Sequence, residues 1–139
     1  LKTLALRMER HQSNALAVAE WLQKQDCVEK VYFVGLKDDP GYERNRKQSR
    51  GTSGMISFTV RSAEQAVEIL KHVKLIIFAE SLGGTESLIT YPAVQTHPDV
   101  PAEQKEKLGI TDRLLRLSVG IENPEDIIED LRQAMEKSK

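Results

Sequence analysis

Small polar residues and two adjacent glycines are concentrated in residues 80–97, which read ESLGGTESLITYPAVQTH. The five apolar residues before them, 75–79, predict a buried strand. Gly83 and Gly84 allow positive φ or a close approach to a ligand, so they predict a tight, shaped loop. A loop held at the end of a strand often carries binding groups, but on spacing alone an ordinary connection is the simpler interpretation.

Arg116 is the charged residue whose position best suits ligand binding. It interrupts the apolar segment 114–119, and strand alternation places three apolar residues on the opposite face: Leu115, Leu117 and Val119. A guanidinium on a strand points in a fixed direction and can bind a carboxylate through two parallel hydrogen bonds. The alternative is a surface or structural arginine, because charged side chains are mostly solvated.

Other chemistries find less support in the residue pattern. The histidines and the single cysteine lack the spacing of metal ligands, so no metal site is predicted from His11, His72, His97 and Cys27. We expect a hydrogen-bonded or half-exposed histidine at position 11, rather than a ligand, and a small buried apolar residue at position 27. The composition does not exclude a Ser-His-Asp triad, but no nucleophile-elbow pattern is present. Basic residues in the segment 35–54 predict a solvated loop with a short helix rather than a phosphate site.

The composition is that of one ordinary globular domain. The chain has 139 residues, of which 40% are hydrophobic and 29% are charged. A formal net charge of −1 gives no field that would attract nucleic acid or an anionic membrane. Apolar runs are far shorter than the ~20 residues that a membrane helix needs. One cysteine and no visible signal peptide lead us to expect a cytoplasmic protein.

Hydrophobic periodicity predicts the elements that would position these residues. Apolar residues at spacings of three and four predict a long helix over residues 1 to about 25. Four strands are predicted over residues 28–34, 55–60, 75–79 and 114–119. Further helices are predicted from Ser62, over residues 100–108 and from Asn123. This pattern predicts an α+β, two-layer domain with a mostly antiparallel sheet of about four strands and helices on one face.

Two long motifs resemble one enzyme family. The run ESLGGTESLITYPAVQTH and the run LLRLSVGIENPEDIIEDL at 114–131 resemble the C-terminal domain of the Cys/Met-metabolism family of pyridoxal-phosphate (PLP) enzymes. That family includes cystathionine β-lyase, γ-lyase and γ-synthase. The first 22 residues and GMISFTV at 54–60 are also similar, so the resemblance covers nearly the whole chain. It implies that residues 1–139 are the small C-terminal domain of a larger enzyme and that residues 1–25 are a linking helix, which a start at Leu1 would fit.

The resemblance implies roles for individual residues. The arginine of the family's L-x-R-x-S-V-G-[IL]-E motif binds the substrate carboxylate, and Arg116 occupies that position. Glu80 and Ser81, in the E-S-L-G-G motif, would line the substrate site, and the acidic residue would help to decide which sulfur amino acid fits. Thr96 would lie near the substrate carboxylate and the cofactor edge, and we give His97 a structural role.

The resemblance also implies a cofactor and a reaction. PLP would form a Schiff base with a lysine upstream, in an N-terminal domain that binds most of the cofactor, so this chain alone is expected to be inactive. The run SLITYPAVQTH is most similar to bacterial β-lyases, which implies conversion of cystathionine to homocysteine, pyruvate and ammonia in transsulfuration and methionine biosynthesis. Cystathionine γ-lyase and γ-synthase are the alternatives. The expected partners are cystathionine, the N-terminal domain and the other subunits of a homotetramer.

A function of another class is a non-catalytic interaction or oligomerisation module. The sheet face that carries Arg116 would normally be covered by the N-terminal domain. The isolated chain is therefore expected to expose apolar surface and to self-associate weakly.

Overall fold

The computed structural model describes residues 1–95 and 99–139, except for the side chains of Ala102 and Glu106. Within those ranges helices and strands alternate along the chain, in the order α1 (Leu4–Leu22), β1 (Val28–Tyr32), α2 (Tyr42–Gln48), β2 (Met55–Val60), α3 (Ala63–His72), β3 (Ile77–Phe78), β4 (Leu88–Thr90), α4 (Ala102–Lys107), β5 (Leu114–Ser118) and α5 (Pro124–Lys137). None of these described helices combines the length and the apolar character needed to span a membrane.

The strands form one five-stranded sheet in the order β1-β2-β5-β4-β3. Neighbouring strands are antiparallel, except that β3 and β4 are parallel. The predicted α+β class and the mostly antiparallel sheet are therefore confirmed, with one strand more than expected.

The hydrophobic core lies between one face of this sheet and three helices. Ile56 pairs with Leu117 and Phe58 pairs with Leu115 across β2 and β5, and all four side chains are fully buried. Helices α1, α3 and α5 complete the core with buried apolar residues, including Val18, Leu22, Ala66, Ile69, Ile127 and Leu131. The helices thus cover the face that the alternation of β2 and β5 makes apolar.

The opposite face of the sheet carries the polar side chains of the central strands. The register places Arg116 directly across from Ser57 on β2 and Thr90 on β4. Ser118 follows on the same face of β5, where the register pairs it with Leu88. We call this surface the polar face, and it contains the candidate site.

Two helix starts follow the predicted capping chemistry. The hydroxyl of Ser62 accepts a hydrogen bond from the amide of Gln65 at 3.1 Å, and the Gln65 side chain accepts one from the amide of Arg61 at 3.2 Å. Asn123 accepts from the amide of Glu125 at 3.3 Å, with Pro124 in the first turn. These bonds satisfy amides that a helix start leaves unpaired.

The segment 75–79 differs from the buried strand that its composition predicted. Only Ile77 and Phe78 form β3, and their side chains are 51% and 49% exposed, whereas Ile76 is 2% exposed. The physical reason is position, because β3 is the last strand of the sheet and pairs only with β4. Strand β4 was itself predicted to be part of a loop, since three residues are too short to show a period.

Helix α5 holds the chain just before β3 through a buried carboxylate. Asp130 accepts hydrogen bonds from the backbone amides of Lys74, Leu75 and Ile76 at 2.9–3.0 Å. Its side chain is buried, so these charge-assisted bonds form away from competing water. The edge strand is therefore tied to the helical layer as well as to β4.

Candidate binding site around Arg116

Arg116 projects from the middle of β5 onto the polar face and is half-buried. Its Nη2 donates to the backbone oxygen of Glu80 at 2.8 Å and to Oγ1 of Thr90 at 3.2 Å. Oγ1 of Thr90 in turn donates to the backbone oxygen of Ala79 at 2.8 Å. The guanidinium therefore links β5 to β4 and to the backbone that follows β3.

The rest of the guanidinium has unused hydrogen-bonding capacity. Its Nε is buried and has no partner among the described residues, and both hydrogen bonds that it makes to them come from Nη2. A buried donor without an acceptor costs about 1–3 kcal/mol, so a bound acceptor would be favoured. An anionic oxygen suits such a donor best, because a charge-assisted hydrogen bond is stronger than a neutral one. The arrangement suits a ligand carboxylate.

The predicted site residues Glu80 and Ser81 differ in whether they contact Arg116. Glu80 contacts the guanidinium through its backbone carbonyl, whereas its side chain is exposed, as is that of Ser81. Thr96 and His97, for which the sequence predicted a binding and a structural role, lie outside the described residues. The structure therefore brings the backbone at Glu80 to Arg116, and it places two polar side chains at the exposed end of the same segment.

Gly83 and Gly84 differ in how much an added side chain would disturb the loop. Gly83 has φ +73°, a left-handed conformation in which a side chain is strained, and its amide donates to Oγ of Ser118 at 2.9 Å. A Cβ at Gly84 would meet a carboxylate oxygen of Glu86 at 2.6 Å, but that side chain is exposed and can move away. Gly83 thus sets the path of the loop across the polar face.

A buried network that sequence reasoning missed anchors the far end of the loop. The amide and the hydroxyl of Ser87 donate to the two carboxylate oxygens of Glu122 at 2.6 and 3.0 Å. The Ser87 hydroxyl also accepts from the amide of Gly120 at 2.9 Å. A Cβ at Gly120 would lie 2.3 Å from the carbonyl oxygen of Thr85, so the close approach requires glycine.

Two side chains of helix α1 donate hydrogen bonds to backbone carbonyls in residues 119–122, next to the same network. Asn14 donates from Nδ2 to the carbonyls of Gly120 at 3.1 Å and Glu122 at 2.7 Å. His11 is buried and its Nδ1 donates to the carbonyl of Val119 at 2.6 Å, in agreement with the expected hydrogen-bonded histidine. The sequence did contain a signal for this network, because polar residues lie beside the apolar stripe of α1. A polar group buried at such a position needs a hydrogen-bond partner.

A partly buried phenol joins the residue after β4 to the segment before β5. Tyr91 donates from its hydroxyl to the carbonyl of Asp112 at 2.6 Å. Burial, reinforced by the charge of Asp112, raises the pKa of the Tyr91 phenol. The phenol therefore stays protonated at neutral pH and continues to act as the donor.

The donor set of this site fits an anionic group on a substrate rather than the whole PLP cofactor. It offers a guanidinium on the polar face whose Nε–H has no acceptor in the described ranges 1–95 and 99–139, and such a donor matches a carboxylate. The part of the chain that the structure describes holds no cluster of three or more His, Cys, Asp or Glu residues suited to a metal ion.

Comparisons with known proteins identify relatives of nearly the whole chain. The family described as Cys/Met metabolism PLP-dependent enzyme matches residues 1–136. A cystathionine gamma-lyase from Dictyostelium discoideum is 49% identical over 138 residues, which cover 99% of this chain and 36% of the relative. A cystathionine beta-lyase from Lactococcus lactis subsp. cremoris is 47% identical over 137 residues, with shares of 99% and 36%.

A solved structure shows the same fold. The crystal structure of cystathionine gamma synthase from Xanthomonas oryzae pv. oryzae in complex with cystathionine has a TM-score of 0.94 and 43% identity to this chain. It is matched over 99% of this chain and 36% of its own, so the chain spans about a third of the length of the relatives it matches. These matches show that the chain belongs to the Cys/Met metabolism family of PLP-dependent enzymes.

Proposed function

We propose that this chain is the substrate-carboxylate-binding domain of a PLP-dependent carbon–sulfur lyase of transsulfuration. The observation that carries the proposal is the guanidinium of Arg116, which is held through Nη2 while its buried Nε has no partner among the described residues. Every amino-acid substrate carries an α-carboxylate, and a preorganised guanidinium binds that group with defined geometry.

The contribution of the chain is to bind and orient the substrate. Bound PLP supplies an electron sink for chemistry at the α-carbon of an amino acid. Arg116 fixes the α-carboxylate and thereby limits the directions that the other bonds of the α-carbon can take. Glu80 and Ser81, exposed beside this site, would contact the distal part of the substrate, and Thr96 is proposed to lie near the carboxylate.

Within the family we propose β-elimination of cystathionine to homocysteine, pyruvate and ammonia. The choice of branch rests on the run SLITYPAVQTH, because β-lyase, γ-lyase and γ-synthase relatives are 43–49% identical to the chain. Cystathionine γ-lyase and γ-synthase are therefore the alternatives.

A product assay tests the branch. The full-length protein containing this chain is supplied with PLP and cystathionine, and the keto acid is identified by mass spectrometry. Pyruvate with homocysteine supports the β-lyase. Formation of 2-oxobutyrate with cysteine would instead assign the γ-lyase. A second reaction receives cysteine and an activated homoserine instead, and cystathionine formed there, with neither keto acid in the first reaction, would assign the γ-synthase. If none of these products formed, the proposal would be wrong.

The setting of the domain is also a proposal. Because the chain spans about a third of its relatives, we propose that an N-terminal domain supplies the lysine and most cofactor contacts, that residues 1–25 include the linking helix, and that the intact enzyme is a homotetramer in the cytoplasm. Light scattering on the full-length protein measures the subunit number, and a stable monomer or dimer would contradict a tetramer.

The exposed edge of the sheet favours a second role as an interaction module. Ile77, Phe78 and Leu82 are each about half exposed on or beside β3. Apolar surface of this kind marks contact sites when it is contiguous. We expect the 139-residue chain alone to bind a hydrophobic dye and to self-associate weakly in sedimentation, and a sharp monomer without dye binding would count against this role.

A further inference from the structure

Thr90 occupies an unusual position for a buried polar residue. It lies on β4 directly opposite Arg116 in the antiparallel register and is 1% exposed. Its hydroxyl contacts Nη2 of Arg116 at 3.2 Å and the carbonyl oxygen of Ala79 at 2.8 Å. Thr90 therefore joins the guanidinium to the backbone that leads into the loop.

The proton inventory fixes the direction of both hydrogen bonds. A threonine hydroxyl has one proton and two lone pairs, while a backbone carbonyl can only accept. The hydroxyl proton must therefore point to Ala79, which leaves a lone pair facing Arg116. The result is a directed chain of donors from Nη2 through Oγ1 of Thr90 to the carbonyl oxygen of Ala79.

This chain determines which part of the guanidinium is free. The two hydrogens of Nη2 are directed to Glu80 and Thr90, so rotation about the terminal bonds of Arg116 would break one or both contacts. Nε is buried without a partner among the described residues, and the two described hydrogen bonds of the guanidinium both use Nη2. Among the residues that the structure describes, removal of the Thr90 hydroxyl would leave only the Glu80 carbonyl to hold Nη2.

We propose that Thr90 is a positioning residue, which acts through Arg116 by orienting its guanidinium toward the substrate carboxylate. This inference rests on the proposed function of Arg116 and extends it. It assigns the orientation of the guanidinium to Thr90, a residue on the neighbouring strand β4. A purely structural role for Thr90 would instead depend on the volume of its side chain in the sheet.

Three substitutions separate the two roles in the full-length protein. Thr90→Val keeps the shape and removes the hydroxyl, whereas Thr90→Ser keeps the hydroxyl and removes the methyl group. Thr59→Val is the matched control, because Thr59 is buried on the same face of the sheet and no described hydrogen bond uses its hydroxyl. Equal urea midpoints among the variants establish that all of them fold.

The kinetic readout is the ratio of the effects on KM and kcat for cystathionine. We expect Thr90→Val to raise KM about tenfold, with a smaller change in kcat, because the oriented hydrogen bond acts on substrate binding. Thr90→Ser and Thr59→Val should stay within about twofold of the wild type. An unchanged KM in Thr90→Val, or an equal rise in Thr90→Ser, would overturn the proposal.

A measurement without substrate distinguishes this inference from the proposed function. The core of the 139-residue chain consists of its own residues, so arginine side-chain nitrogen resonances can be recorded on it directly. We expect slow rotation of the Arg116 guanidinium in the wild type and Thr90→Ser, and faster rotation in Thr90→Val. If the guanidinium rotates slowly but the full-length protein does not act on sulfur amino acids, only the proposed function is refuted. Equal rotation in all three proteins would refute the role of Thr90.

Discussion

At the scale of single residues, Arg116 combines a fixed position with a donor, Nε, that no described residue uses. Strand β5 is hydrogen-bonded to β2 on one side and β4 on the other, so the backbone below the side chain is held from both directions. Glu80 and Thr90 then fix Nη2. Little conformational entropy is left for a ligand to remove, which is the physical advantage of a preorganised site.

Cys27 provides a pH prediction at the same scale. Burial raises the pKa of its thiol, so the folded state favours the neutral form. The stabilisation is present below the unfolded thiol's pKa of about 8.5 and is lost as the pH rises through the higher folded value. We expect the urea midpoint of the wild type to fall more steeply above pH 8 than that of Cys27→Ala. Parallel pH profiles of the two proteins would contradict this expectation.

The sequence predicted the face of Arg116 but not its partners. Alternation in β5 was sufficient to place Arg116 opposite Leu115 and Leu117. Its contacts with Thr90 and with the carbonyl, rather than the carboxylate, of Glu80 depend on the register between β4 and β5. Register is a tertiary property, and nothing in the spacing of the two segments along the chain specifies it.

At the scale of elements, the loop after β3 depends on a close backbone approach at Gly120. An added Cβ would lie 2.3 Å from the carbonyl oxygen of Thr85 and 2.6 Å from the carbonyl carbon of Glu86. We expect Gly120→Ala to destabilise the chain by about 3 kcal/mol in urea unfolding, because the backbone must move and the Ser87–Glu122 contacts weaken.

Gly109→Ala is the matched control for that substitution. Gly109 has φ +73° with open space around its Cβ position, so an alanine there meets backbone strain alone, about 1 kcal/mol. Equal destabilisation by the two alanines would show that the close approach at Gly120 does not constrain the loop.

Asp130 carries a second prediction at this scale. Its carboxylate accepts from three successive amides before β3, so Asp130→Asn should lower the free energy of unfolding by about 2 kcal/mol. The neighbouring Glu129→Gln is the control, because Glu129 forms an exposed ion pair with Arg132 and should change stability by less than about 1 kcal/mol. Similar urea midpoints for both variants would contradict a stabilising role for the hydrogen bonds that Asp130 accepts.

The elements differed in how far the sequence could predict them. Strands β2 and β5 alternate over five or six residues, and the caps at Ser62 and Asn123 have distinct residue types, so both were predicted. Strands β3 and β4 contain two and three residues, which is too short for a period to appear. Their parallel pairing is a tertiary contact, and the chain just before β3 is also held by Asp130, which lies 54 residues after Ile76.

At the scale of the whole molecule, helices α1, α3 and α5 and the candidate site lie on opposite faces of one sheet. The core packs on one face of the sheet, and the opposite, polar face carries Arg116. The exposed apolar residues beside β3 lie next to the loop that contacts Arg116. We infer that the N-terminal domain of the proposed enzyme packs near this edge and completes the substrate pocket.

The measurement that tests the account most directly is the KM of the full-length protein for cystathionine after Arg116→Lys. A lysine keeps the charge but loses the planar set of donors, so we predict a rise in KM on the order of 100-fold. Arg113→Lys is the control, because Arg113 forms a partly exposed ion pair with Glu29 at 2.6 Å and should leave KM within about twofold of the wild type. If Arg116→Lys bound cystathionine as well as the wild type, Arg116 would not be the carboxylate-binding residue and the account would be wrong.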